Sequence, residues 1–450
     1  MIRALREWWK SLDVYANPRV RAMLLLGFSS GLPFALVLTT LSARLRQAGI
    51  DRSTIGYFSL VGLAYSLKYF WSPIVDRLPL PLLNRMGRRR SWMLLAQVCI
   101  VVGLALMALA DPAANAQYIA LLAVSTAFAS ATQDIAVDAY RIEAAKVDTQ
   151  GAMAAAYQTG YQIALICAGA GALTVAAGYG WTASYLAMAA CALIGVATTL
   201  FIAEPDASLG RAARAEEPLV TRFLQYAAGW PTLPRQGVAW LIGAVVCPFA
   251  DFFARNGWRA GIPILLLIVT YRLNYTTMGV AANTFYLDMG FTLEQIALVS
   301  KLYGVAMTIV GAFLAGVLIR RIGVAKTLLV GSVLLSAANL VYAHLASIHP
   351  GIVWLATAIS ADNIANGIAG TAFIAYMSSL TSANYTATQY ALFGTLWSLP
   401  AKSIASQWGR IVDAWGYPPF FVYTAAVGLP SMLLVLWLIR RERNEARSRN

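Results

Sequence analysis

The sequence predicts an all-α membrane protein: twelve transmembrane helices in two six-helix halves, with an interfacial helix in the central loop. Three observations predict it. The chain has 450 residues, 59% hydrophobic and only 12% charged, with a mean hydropathy of +0.63; soluble domains are about a quarter charged. The apolar residues fall into runs of roughly 20, the length that crosses a hydrocarbon core. The remaining charges, 34 Lys and Arg against 20 Asp and Glu for a net +14, gather in short bursts between those runs. Juxtamembrane loops show that pattern and nucleic-acid-binding faces do not. A lipid bilayer is the expected partner, and nucleic acid is not.

The runs lie at 20–43, 53–75, 92–110, 116–140, 152–177, 181–203, 261–287, 294–319, 325–347, 351–380, 387–410 and 418–439. A further apolar stretch, 238–250, has 13 residues and contains Pro248. It is short for a span, and proline breaks helices. If it crossed, the basic loop holding Arg320, Arg321 and Lys326 would change sides. It is therefore expected to be an interfacial or re-entrant helix. The chain then divides into a first bundle over 1–203, a central loop over 204–259 and a second bundle over 260–450. The segment Met1 to Arg21 carries Arg3, Arg6 and Lys10 with Trp8 and Trp9. It shows no short apolar core followed by a cleavage site and reads as a basic amphipathic lead-in at the interface.

Orientation follows from the basic residues. With the N-terminus inside, 26 of the 34 Lys and Arg fall on the inner side, four lie outside (Arg44, Arg46, Arg52 and Arg410) and four lie within spans. Both termini are thus expected in the cytoplasm. The halves echo one another. The loop after the second run reads Asp76-Arg77…Gly87-Arg88-Arg89-Arg90, and the loop after the eighth carries Arg320-Arg321, Gly323 and Lys326. Repeated six-helix halves, with a substrate site between them near mid-bilayer, are a recurrent transporter plan. The first loop resembles the signature loop of the major facilitator superfamily. It departs in spacing: Gly87 follows Asp76 after eleven positions where the family has three. An ordinary basic loop would contain the same residues.

Seven charges fall inside runs: Lys68, Asp134, Asp138, Arg272, Lys301, Asp362 and Lys402. Each costs about 2.5–3.5 kcal/mol on insertion scales, so it should face a cavity or a partner. At 1.5 Å per residue, Lys68 stands roughly 12 Å from Asp76, Arg272 roughly 16 Å into its helix and Lys402 roughly 12 Å from Arg410. Those three sit at mid-membrane. Asp134, Asp138 and Arg141 share one helix face. Asp138 and Arg141 read as a clamp at a helix end. Asp134 and Gln133 lie deeper and suit substrate or proton work. Asp362, beside Asn363, either pairs with Lys402 or Lys301 or carries a proton. Asp134 and Asp362 are thus the candidate proton-coupling acids. Four deep cations against three acids suit a substrate bearing carboxylates or phosphates, unless each cation is already paired.

Aromatics near these charges (Tyr65, Trp71, Tyr157, Tyr161, Tyr271 and Trp397) offer flat faces for sugar rings, or simply pack. Gly31-Leu32-Pro33 interrupts the first run, and Pro73 and Pro400 interrupt two others. Gly160, Gly169, Gly171 and Gly178 permit close helix contact in the fifth. The candidate substrate-binding set is Lys68, Tyr65, Trp71, Gln133, Asp134, Tyr161, Arg272, Asn363 and Lys402. The structural set is Gly31, Pro33, Asp76, Arg77, Arg88, Asp138 and Arg141. Cys99, Cys167, Cys191 and Cys247 lie in apolar runs without metal-ligand spacing. His344 and His349 have no acid or cysteine beside them. No metal, cofactor or catalytic site is expected, and the chain does not read as an enzyme.

Several stretches together resemble the AmpG-type permeases. They are Ser29-Ser30-Gly31-Leu32-Pro33; Leu67-Lys68…Trp71-Ser72-Pro73…Asp76-Arg77 with its lengthened Gly87-Arg88-Arg89-Arg90 loop; Gln133-Asp134…Asp138-Ala139-Tyr140-Arg141; Asp362-Asn363…Gly367; and Tyr385-Thr386-Ala387-Thr388-Gln389-Tyr390-Ala391-Leu392. The Arg272 region carries no part of the pattern. The resemblance implies a bacterial inner-membrane carrier that imports anhydromuropeptides, anionic sugar-peptides of cell-wall recycling, with protons and by alternating access. A monomer is expected. A related carrier of another organic anion, such as an acyl-coenzyme A, would share the cationic cavity, and a polytopic transferase is the alternative from another class.

Overall fold

The computed structural model describes residues 13–50, 58–144, 149–205, 217–348, 351–405 and 407–449. Among them the chain is helical without strands. Ten helices are long and apolar enough to cross a membrane. Backbone groups in hydrocarbon must bond internally, which leaves helix as the form a single segment can take.

In the first half, span 1 is Pro18–Gln47, span 3 Arg88–Leu109 and span 4 Ala116–Ala144. The long helix Gln150–Phe201 is two spans, 5 and 6, turning at Gly180, whose φ of 83° suits glycine. In the second half, spans 7 to 10 are Trp258–Asp288, Leu298–Ile322, Val324–Leu345 and Ile352–Leu380, and span 12 is Tyr417–Glu445. Span 2 is a string of short helical pieces over 59–77. Span 11, Thr386–Ala405, is a 20-residue helix. The end of the expected run, 408–410, belongs instead to a separate helix, Trp408–Trp415.

Several breaks differ from expectation. Span 1 runs straight through Pro33 and interrupts instead at Leu38. Proline removes a single backbone bond, and close packing tolerates the loss: a Cβ on Gly31 would come 2.6 Å from the Tyr161 carbonyl of span 5. Span 11 is likewise continuous through Pro400. Pro73 does mark a break, at Trp71. Span 7, expected whole, is split at Tyr271-Arg272. Of the span 5 glycines, Gly160 lies against the Leu24 backbone, whereas Gly169 and Gly178 have open space beside them.

The central stretch also differs. Thr232–Asn256 is helical over 25 residues and qualifies by length and composition as a span. A π-turn at Ile242–Val246 immediately precedes Pro248; this widened turn accommodates the missing N–H, so proline does not end the helix. Its partners are Arg77 at the end of span 2, Leu380 at the end of span 10, and Gln389 and Phe393 at the start of span 11. It therefore lies against one end of the bundle. Residues 1–12 of the proposed lead-in and Arg52 are outside the described residues. Asp13–Ala16 does not lie apart: Tyr15 stacks on Phe313 of span 8 at 5.0 Å.

The end of the bundle carrying Arg77, Arg88–Arg90, Arg141, Arg320 and Arg321 is called the basic end below. Four buried cores fill the molecule. The two at the opposite end, around Leu104 and Tyr185 and around Phe285 and Phe421, each draw on one half alone. The two at the basic end mix halves: Ala154 joins the second-half core and Ala387 the first-half core.

Candidate substrate-binding site and gate

In the first half, the site is built where span 2 loses its α-helical form. A 3-10 turn at Lys68–Phe70 precedes Trp71 and Pro73. Proline disfavours helix in the residues before it, and the turn brings Lys68 to span 4. Its Nζ lies 3.5 Å from Asp138 Oδ2, while Arg141 Nη2 stands 3.3 Å from Oδ1. One carboxylate thus serves two cations. Asp134, one turn away, is buried, and its Oδ1 has no hydrogen-bond partner. Phe34 links the aromatic wall beside it, 5.1 Å from Tyr65 and 6.3 Å from Tyr161.

In the second half, Arg272 stands at the split in span 7 and donates to Asn366 Oδ1 at 2.8 Å. Its guanidinium lies 4.7 Å from the Tyr275 ring and 5.8 Å from that of Trp397. Gly370 makes room for it, since a Cβ there would meet Nη1 at 2.8 Å. Asp362 is one turn from Asn366 on span 10, buried, with Oδ1 unpartnered. Span 11 touches both groups: Tyr390 lies under Arg141 at 5.1 Å and Trp397 beside Arg272.

Three candidates have other work. The Gln133 amide is fully buried and bonds Ser29 and Ser30 at 3.3 Å, fastening span 4 to span 1. Trp71 donates to Thr132 at 3.1 Å and packs on Phe128, a half-exposed residue of the bundle's outer face. Asn363 accepts from Thr308 and donates to the Ile359 carbonyl, tying span 10 to span 8. Nor does Lys402 pair with Asp362: its Nζ donates to Ser66 Oγ at 2.6 Å, across the two halves. The Lys301 side chain is outside the described residues.

The basic end is closed by ties between halves. Asp76, 1% exposed, bonds Arg89 at 2.7 Å through one oxygen. Through the other it accepts from the backbone N–H and the hydroxyl of Thr388, at 3.0 and 2.9 Å. Arg141 does not clamp a loop, as expected; it donates to Ser378 of span 10 at 2.6 Å. Arg88 donates to the Asp76 carbonyl and reaches Glu143. Glu217 of the central segment joins Arg77 of span 2, at 2.6 Å, to the Tyr385 hydroxyl before span 11, at 2.9 Å. Burial and the Glu217 carboxylate push that hydroxyl far above its ordinary range, so it stays a donor. Gln389 bonds the Pro248 carbonyl and Asp251. At mid-depth, Ser66 receives Thr395 and Lys402. At the opposite end, no hydrogen bond joins the halves among the described residues.

A family model described as the Major Facilitator Superfamily matches residues 23–401. The chain belongs to the major facilitator superfamily. It resembles a putative transporter, AmpG 4, of Rickettsia felis, with 32% identity over 95% of this chain and 98% of that one. It also resembles the anhydromuropeptide permease of Escherichia coli K12, with 33% identity over 94% of this chain and 80% of that one. These relatives place it among the AmpG-type permeases, so this is a transporter and not an enzyme. Two solved structures share its fold. The proton:xylose symporter XylE, bound to 6-bromo-6-deoxy-D-glucose, has a TM-score of 0.64 at 11% identity over 95% of both chains. The human organic anion transporter MFSD10 scores 0.61 at 14% identity, over 93% of this chain and all of that one.

Within this superfamily member, the run 385–392 gains specific jobs: Tyr385 holds Glu217, Thr388 holds Asp76, Gln389 holds the central helix and Tyr390 faces Arg141. The sequence marked the run but not its partners. Ser66, Ser378 and Glu217 carried no signal, being ordinary polar residues whose partners lie far along the chain. Asn366 had one clue: it is four residues from Asp362, hence on the same helix face.

Proposed function

We propose that this transporter imports anhydromuropeptides from periplasm to cytoplasm by proton-coupled alternating access. The observation that carries the reading is the pair of charged groups, Lys68–Asp134–Asp138–Arg141 and Arg272–Asp362–Asn366, one in each half and both touching span 11. Cations beside aromatic rings suit a ligand with peptide carboxylates and sugar faces. Kinship with a relative named an anhydromuropeptide permease supports that choice of substrate. The excess of Lys and Arg at the basic end supports a cytoplasmic position for that end and both termini, and in this reading the membrane is a bacterial inner membrane. With that end cytoplasmic, the ties between halves there support an outward-facing state.

Asp134 and Asp362 are the proton carriers in this reading. A buried charge lacking a hydrogen-bond partner is costly, and a proton on either acid would relieve that cost when substrate draws Lys68 or Arg272 away. Inward opening then requires the Asp76–Thr388 and Arg141–Ser378 contacts to part.

The test is uptake of a labelled muropeptide panel into proteoliposomes, with and without an imposed pH gradient. Uptake of anhydromuropeptides that rises with an inward proton gradient is expected. Uptake indifferent to the gradient would remove proton coupling, and no uptake of any panel member would remove the substrate.

A further inference from the structure

A second site lies on the outer face of the first half. Spans 1 and 6 touch where Gly195 packs against Ser29, so closely that a Cβ would strike the serine hydroxyl. Toward the basic end the two helices part, leaving a groove of about 780 Å³. Leu25 of span 1 and Ala197 and Phe201 of span 6 line it, with fully buried Tyr140 of span 4 also on its wall. Leu25 is 42% and Phe201 89% exposed, so in a bilayer this groove faces lipid.

The charge at its mouth is one-sided. Arg19 and Arg21 line the groove, both exposed, and among the described residues no acid does. Arg19 is held in place by a 2.9 Å bond to the Ala144 carbonyl. Arg90 adds a third positive charge close by, fastened to the carbonyls of Thr199 and Leu200. The neighbouring acid, Glu204, spends both oxygens on the backbone N–H groups of Arg89 and Arg90, at 2.7 and 3.0 Å.

We propose that this groove binds one anionic phospholipid. Its phosphate meets Arg19 and Arg21, and an acyl chain lies along Leu25, Ala197 and Phe201. Guanidinium groups suit phosphate oxygens, and basic pockets between transmembrane helices hold anionic headgroups. A methylene takes roughly the 30 Å³ of a water molecule, so an acyl chain has ample room. The lipid would bridge spans 1, 4 and 6 where they splay, and it stands independently of the transported substrate.

The test uses full-length protein purified in detergent, with phosphatidylglycerol and phosphatidylcholine of identical acyl chains as probes. Bound lipid is counted by native mass spectrometry and the thermal midpoint is followed. Phosphatidylglycerol should be retained one per chain and raise the midpoint more than phosphatidylcholine. Arg21→Ala should weaken phosphatidylglycerol retention by about tenfold, the weight of one charge-assisted hydrogen bond, and weaken phosphatidylcholine, whose choline cation offsets its phosphate, by less. Ala197→Trp, which fills the groove without touching its charge, should weaken both. Equal retention of the two lipids, or retention unaffected by either variant, overturns the proposal. So does binding that appears only after residues 1–12 are deleted, which would make that segment the occupant.

Discussion

The basic end and the middle of the molecule hold comparable numbers of buried charges and treat them in opposite ways. At the basic end Asp76 and Glu143 are over-provided: Asp76 serves Arg89 and Thr388, and Glu143 serves Arg88 and Arg89. At mid-depth, Asp134 and Asp362 each leave an oxygen without a partner, and Lys402 spends its charge on a serine hydroxyl. Saturated charge networks fix one arrangement, because breaking them strands buried ions. Under-provided charges await something the protein alone does not supply. In the proposed function the comparison separates a lock from a candidate binding site.

The sharpest way to break the comparison is Asp76→Ala. It removes one of the two carboxylates on Arg89 and both bonds to Thr388 at the start of span 11, and we expect a loss of about 3–5 kcal/mol, read as a fall in thermal midpoint with uptake abolished. At mid-depth the same kind of change should spare the fold. Lys68→Ala and Asp134→Asn should insert normally yet lower uptake about 10- to 100-fold, as the loss of a charged hydrogen bond worth about 1.5–3 kcal/mol implies. Normal uptake by both would remove these residues from the site.

Glu217→Gln keeps an acceptor but loses the charge facing Arg77, so the expected cost is smaller, about 1–2 kcal/mol. It should appear as faster thiol labelling of an Ala387→Cys reporter from the basic side in a cysteine-free background; Tyr385→Phe should act in the same direction by about 1 kcal/mol. The smallest effect is expected at Trp71→Phe, which loses only the bond to Thr132. A stability change of about 1 kcal/mol with uptake unaltered would confirm that this ring packs; a large uptake defect would return it to the site.

Legibility followed the range of each interaction. Asp138 and Arg141 are three residues apart on one helix, so their pairing was readable from spacing. Gln133 and Asp134 are adjacent and were given one role. Successive helical residues point about 100° apart, and the structure sends the Gln133 amide to Ser29 and Ser30 while Asp134 leaves an oxygen unpartnered one turn from the Lys68–Asp138 pair. Asn363 and Asn366 show the same limit: both sit on span 10, but only Asn366 meets Arg272.

The sequence by itself determined the fold class, the helical runs and the list of charges needing explanation, because hydrocarbon penalises polar groups residue by residue. It also carried the family. Tertiary structure alone decided which charges were spent. Lys402 with Ser66, Arg141 with Ser378 and Asp76 with Thr388 join residues hundreds of positions apart, and no local pattern encodes such a meeting. The closed end belongs to the same class of fact, for it depends on how the two halves lean together.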